Sequence, residues 1–156
     1  MLEVGMRAPD FTLLNQDNSP ITLSDYLGNK VVLYFYPKDN TPGCTDQACG
    51  FRDANDDLKD LGVIVLGVSK DSVASHKKFY SGKRLNFDIL SDESMGVIKS
   101  YGAMRDVPLL KHTAVGVLRA TFIINEEGII EKVYPTASTS SHAQDVLNYL
   151  RGETNA

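Results

Sequence analysis

The 156-residue sequence carries only two cysteines and no tryptophan. Two thiols build no disulfide framework, and none is needed, because a domain of this size buries roughly 70% of the surface its unfolded chain exposes. Long apolar runs are absent: 31–36 and 63–68 are the most hydrophobic stretches, far short of the roughly 20 residues a membrane helix requires. Basic charge is not in excess either. Lys plus Arg number 16 against 20 Asp plus Glu, a net charge of -4, with no basic run to neutralise a string of phosphates, which argues against a nucleic-acid partner. No segment fits a Gly-rich dinucleotide or nucleotide fingerprint, so no such cofactor is expected. Met1-Leu2-Glu3-Val4-Gly5 has neither the basic start nor the apolar core of a secretory signal, which points to the cytoplasm. In a reducing compartment a cysteine pair reads as catalytic or redox-sensing sooner than structural. His76, His112 and His142 show no ligand spacing; they are read as surface residues, and no metal is expected.

Hydrophobic periodicity organises what is present. Val31-Val32-Leu33-Tyr34-Phe35-Tyr36 has no polar alternation, as befits a strand buried on both faces. A loop rich in turn formers follows, and then apolar positions recur at Ala48, Phe51, Leu58 and Leu61, the spacing of an amphipathic helix ending at Gly62. A second buried strand covers 63–68, and a helix over 72–80 takes Ser72 as N-cap. The pattern further predicts a strand over 86–90, a helix over 92–101, a strand over 120–125, a hairpin partner over 129–134 turning at Glu126-Glu127-Gly128, and a last helix opened by a capping box at Ser141-His142-Ala143-Gln144. Strand-like pieces at 11–13 and 21–23 suggest an N-terminal β-hairpin. Parallel strands joined by helices, then an antiparallel hairpin and a terminal helix, describe an α/β fold of thioredoxin-like type. A central mixed β-sheet is flanked by helices in a single domain over 1–156.

Sites in an open α/β sheet gather where a strand's carboxyl end meets the next helix. Cys44 falls there, in the first helical turn, where free N–H groups and the macrodipole favour an anion. The competing reading is a packed, inert thiol, since free cysteine is among the most buried residue types. A loop of Pro37, Thr41, Pro42 and Gly43 favours the reactive one.

Pro37-Lys38-Asp39-Asn40-Thr41-Pro42-Gly43-Cys44 resembles the Pro-x-x-x-Thr-x-x-Cys signature of the peroxiredoxins. The longer run through Ala48-Cys49-Gly50-Phe51-Arg52-Asp53 is similar to the subfamily called peroxiredoxin Q or bacterioferritin comigratory protein. Segments at 8–11, 90–92 and 119–125 carry the resemblance over most of the chain. It implies thiol-dependent reduction of hydrogen peroxide and organic hydroperoxides, with Cys44 as the peroxidatic cysteine. It further implies that Thr41 and Arg119 bind and polarise the peroxide, and that Pro37, Pro42 and Gly43 shape the pocket. Cys49 corresponds to the resolving cysteine, closing an intramolecular disulfide that thioredoxin, or alternatively glutaredoxin, reduces. The subfamily is often monomeric, so a monomer is expected.

Two departures stand out. Gln47 occupies a position where many relatives carry an acid, and the segment 102–113 lacks the subfamily's aromatic and Lys/Gly-rich pattern. Asp53, Asp56, Asp57 and Asp60 read as a solvated helix face, Arg52 as a structural residue, and Tyr34 and Tyr36 as core. Two other functions compete with the peroxidase: a peroxide-sensing redox switch without significant turnover, and a binding module on the same fold with degenerate chemistry.

Overall fold

The computed structural model describes residues 1–108 and 113–152. Near the N-terminus β1 (Thr12–Leu14) and β2 (Pro20–Thr22) pair antiparallel. The turn between them is held by the Asn15 carboxamide, whose oxygen accepts the N–H groups of Asp17 and Ser19. The unbroken apolar run becomes β3 (Lys30–Phe35), followed by α1 (Pro42–Asp60), β4 (Val63–Ser69), α2 (Val73–Gly82) and β5 (Asp88–Ser91). Strands β3, β4 and β5 run parallel. Gly62, at φ 75°, supplies the left-handed residue that ends α1. Ser72 caps α2 as anticipated, its hydroxyl accepting the Ser75 N–H at 3.1 Å.

The predicted helix over 92–101 shrinks to α3 (Gly96–Ser100). Asp92 starts a turn instead: the Met95 N–H bonds its carbonyl, Met95 takes φ 63°, and its carboxylate accepts the Ile98 N–H at 2.8 Å. An antiparallel hairpin, β6 (Met104–Pro108) with β7 (Thr113–Val117), then occupies a stretch where the sequence pattern gave no element. The chain continues into β8 (Thr121–Ile124), β9 (Ile130–Tyr134) and α4 (His142–Leu150). The capping box expected at Ser141 does not form. Its hydroxyl is engaged by Ser138 and Asp145 and makes no cap bond.

Seven strands make one mixed sheet in the order β2-β1-β5-β4-β3-β8-β9, with β8 antiparallel to β3. Side chains along β3 alternate between two apolar clusters on opposite faces. Val31, Leu33 and Phe35 join Phe122, Ile98 and Tyr101 on one face. Val32, Tyr34 and Tyr36 join Cys44, Ala48 and Phe51 of α1, Phe79 of α2 and Val146 of α4 on the other. No helix among the described residues is long and apolar enough to cross a membrane.

Candidate active site

Between β3 and α1 the chain leaves the sheet at its carboxyl edge. The Tyr36 N–H still bonds the Val68 carbonyl at 3.0 Å; beyond it the loop turns sharply, with Asn40 at φ 62°. Thr41 is the extended N-cap residue (φ -80°, ψ 152°), and its hydroxyl makes no cap bond. It donates instead to the Lys38 carbonyl at 2.8 Å. With its proton committed, the Thr41 oxygen is left as an acceptor, suited to the O–H of an incoming molecule. Pro42 follows at the first helical position, where a missing N–H costs nothing. The N–H groups of Gly43 and Cys44 lie in the first turn and have no intrahelical partner.

Cys44 is 1% exposed, and its Sγ accepts a hydrogen bond from Arg119 Nη1 at 3.2 Å. The sheet explains how residues 75 apart meet. Strand β8 pairs antiparallel with β3 in a register that sets Thr121 opposite Tyr34. Residues just before β8 therefore lie beyond the carboxyl end of β3, at the start of α1. The carbonyls of Arg119 and Ala120 are fixed by the N–H groups of Ala137 and Phe35, each at 2.8 Å. Arg119 Nη1 also reaches Gln47 Oε1 at 3.4 Å. Gly43 leaves room for the guanidinium: a Cβ there would stand 2.8 Å from Arg119 Nη2. Thiol, guanidinium and helix start thus converge on one point, an arrangement that stabilises an anionic sulfur and binds small polar oxygen compounds.

Of the pocket prolines, Pro37 is half-buried at the loop's entry and Pro42 is exposed. Cys49 is half-buried further along the unbroken α1, and both thiols are free. Gln47, noted in the sequence only as a departure, is buried; its amide nitrogen finds no partner among the described residues. Arg52 is structural: it bonds the Lys83 carbonyl at 2.7 Å and Asp53 at 3.0 Å. The four aspartates at 53, 56, 57 and 60 are exposed, and Tyr34 and Tyr36 are core.

The histidines correct the sequence reading. His76 is 0% and His142 2% exposed, so neither is a surface residue; His112 lies outside the described residues. Each is buried because it finds partners: His76 with Asp39 and the Leu90 carbonyl, His142 with the Thr121 hydroxyl. Burial depresses the His142 pKa to about 4, leaving a neutral ring. Asp39, Asp71 and His76 place one ligand atom each within 4.8 Å of one another. Asp39 and His76 face one another at 2.7 Å, and Asp71 Oδ2 accepts the Ser69 hydroxyl and the Asp39 N–H.

The model of the AhpC/TSA family matches residues 4–133. The chain belongs to the AhpC/TSA family of peroxiredoxins. Among curated relatives, the putative peroxiredoxin bcp of Coxiella burnetii is 46% identical over 149 residues, covering 96% of this chain and 99% of the relative. Peroxiredoxin Bcp of Escherichia coli is 43% identical over 150 residues, 96% of each chain. Among solved structures, PrxQ of Xylella fastidiosa superposes with a TM-score of 0.92 at 30% identity over 97% of both chains. The Xanthomonas campestris bacterioferritin comigratory protein, described for its alkyl peroxide reduction activity, superposes at 0.90 with 28% identity, over 96% of this chain and 98% of that one. This peroxiredoxin is therefore a thiol peroxidase on a thioredoxin-like fold, as the Pro37-to-Cys44 motif implied.

Proposed function

We propose that Cys44 is the peroxidatic thiol, Thr41 and Arg119 its partners at the peroxide, and Cys49 the resolving thiol. The observation that carries this reading is the 3.2 Å contact of Arg119 Nη1 with Cys44 Sγ at the helix start. The Cys44 thiolate attacks one peroxide oxygen; the S–O bond forms as the O–O bond breaks. The leaving oxygen takes a proton and departs as water or alcohol, and sulfur is left as a sulfenic acid, oxidised by two electrons. Arg119 and the first-turn N–H groups donate to the oxygens as charge develops on them, while the Thr41 oxygen accepts a hydrogen bond from the peroxide O–H. Pro37, Pro42 and Gly43 bound the space in which this happens.

The Cys49 thiol then attacks the sulfenic sulfur, releasing water and closing a disulfide. In a regular helix residues five apart have Cα atoms about 8.7 Å apart, beyond the roughly 7 Å a disulfide spans. The first turns of α1 must therefore unwind. A dithiol reductant of thioredoxin type, with glutaredoxin as the alternative, returns both thiols by exchange. Action as a monomer in the reducing cytoplasm belongs to the same reading.

Intact mass after one equivalent of hydrogen peroxide tests the assignment. Wild type is expected to lose about two mass units, Cys49→Ser to gain about 16, and Cys44→Ser to stay unchanged. A stable gain of about 16 in wild type removes Cys49 from its role, and an unreactive Cys49→Ser protein removes Cys44 from its own.

A further inference from the structure

The loop that carries Pro37 and Thr41 is tied into the protein interior at one residue, Asp39, which is 5% exposed. Its Oδ1 accepts the Tyr36 hydroxyl at 2.7 Å. Its Oδ2 accepts the Ser75 hydroxyl at 2.8 Å and faces His76 Nδ1 at 2.7 Å. Its backbone N–H donates to Asp71 Oδ2 at 2.9 Å, and that same carboxylate oxygen takes the Ser69 hydroxyl at 2.7 Å. The other nitrogen of the His76 ring faces the Leu90 carbonyl at 2.9 Å. A carbonyl only accepts, so Nε2 donates to it. Nδ1 then faces the Asp39 carboxylate, and the ring bridges β5 to the loop.

Three elements thus converge on one residue: the end of β3 through Tyr36 and the first turn of α2 through Ser75 and His76 meet its carboxylate, and the β4–α2 connection meets its backbone N–H through Asp71. Among the described residues none of these groups hydrogen-bonds the Cys44 thiol or the Arg119 guanidinium, whose partners are each other and Gln47. What they fix is the path of the chain from Pro37 to Thr41, with Asn40 held in the left-handed region. A loop placed this way presents the Thr41 oxygen to the peroxide at a set position, and misplacement by an ångström is enough to cost catalysis on the order of a hundredfold.

We propose that Asp39 is a positioning residue for peroxide, held by Tyr36, Ser75 and His76 so that the Pro37–Thr41 loop stays registered against Cys44. The proposal rests on Cys44 being the peroxide-reacting thiol. It separates two properties of that thiol. Its nucleophilicity depends on Arg119, to which the clamp makes no hydrogen bond. Its selective reaction with peroxide depends on the loop, which the clamp holds.

The test uses the full-length protein in a Cys49→Ser background, where only the first oxidation is read. Rate constants for Cys44 are measured with hydrogen peroxide and with iodoacetamide, an electrophile that needs a thiolate and no peroxide cradle. Asp39→Ala is expected to slow the peroxide reaction about tenfold or more while leaving alkylation within a small factor of the parent. Asp39→Asn is expected to recover most of the peroxide rate. Its amide donates to a neutral His76 Nδ1 and its carbonyl keeps the Tyr36 hydroxyl.

Equal loss of both reactions in Asp39→Ala, or loss of neither, overturns the proposal. So does an Asp39→Asn variant as slow as Asp39→Ala. A parent that fails to gain an oxygen from peroxide overturns the assignment of Cys44 instead, so the two failures are distinct. Should Asp39→Ala not fold, Ser75→Ala and Tyr36→Phe each remove one donor to the same carboxylate. Each must then lower the ratio of peroxide to alkylation rate, and an unchanged ratio in both rejects the clamp.

Discussion

Gly43 does its work by being small. Its φ is not in the left-handed region, so backbone conformation does not demand glycine. Space does, since a methyl group there would press on the Arg119 guanidinium at 2.8 Å and on the Thr139 methyl at 3.1 Å. The guanidinium is the mobile end of a long side chain and would yield, moving off the sulfur. Gly43→Ala should therefore lower the second-order rate constant with peroxide about tenfold. Thermal stability should be kept or slightly raised, because alanine suits a helix better than glycine. A variant with wild-type rate constants would show that Arg119 does not need this gap.

At this scale the sequence was legible where the proposed site lies in a short motif: Thr41, Pro42, Gly43 and Cys44 are consecutive and sit at one helix start. Arg119 was reachable only through family resemblance, because no spacing rule brings together residues 75 apart. Gln47 offered only its departure from the family pattern. Asp39 was a loop residue like any other until His76, 37 residues on, was seen to close on it.

Elements show a second limit of periodicity. The start of α4 was predicted within a residue, and β3, α1, β4 and α2 within a residue or two, since their apolar repeats are unbroken. Periodicity did not reveal the β6–β7 hairpin, nor that the first residue of α4, His142, is a core residue. That ring packs edge-on against Phe51 of α1 at 5.7 Å and Tyr134 of β9 at 4.9 Å, so it joins the two helices to the sheet edge. Its pKa, lowered by burial from 6.5 to about 4, makes this joint sensitive to acid. Between pH 6.5 and 4 the unfolded chain binds a proton that the folded one refuses. Stability therefore falls as pH drops through that window and is unaffected by this group above it. Integrated from pH 7 to 4.5, the group accounts for on the order of 2 kcal/mol. Urea unfolding of the reduced protein at both pH values should show wild type losing about that much more than His142→Asn. Equal losses would mean that the ring takes up its proton without opening the α1–α4 joint.

The whole molecule determines how far the unwinding of α1 spreads. The proposed disulfide between Cys44 and Cys49 would remove Cys44 and Ala48 from the cluster beneath α1. It would also loosen the contact of Gly50 with Ala143 of α4, where a Cβ on Gly50 would already sit 3.3 Å away. Among the described residues the cluster on the opposite face of the sheet, with Leu33, Phe35, Phe122, Ile98 and Tyr101, includes none from α1. The seven-stranded sheet lies between the two faces, and its central strands keep all their ladder partners whichever way the first turns of α1 fold. Oxidation should thus cost one end of one helix while leaving the scaffold intact, in keeping with the partition of proteins into regions that open independently. Hydrogen exchange on the two redox forms reads this directly. Amides of residues 43–50 are expected to lose protection in the disulfide form, with a matching fall in helical circular dichroism, while β3, β4 and β8 keep theirs. Unchanged protection of α1 in a verified disulfide form would mean that the bridge closes without unwinding. Protection lost across β4 and β8 as well would mean that the two faces are not independent, and that the cluster under α1 holds the sheet rather than resting on it.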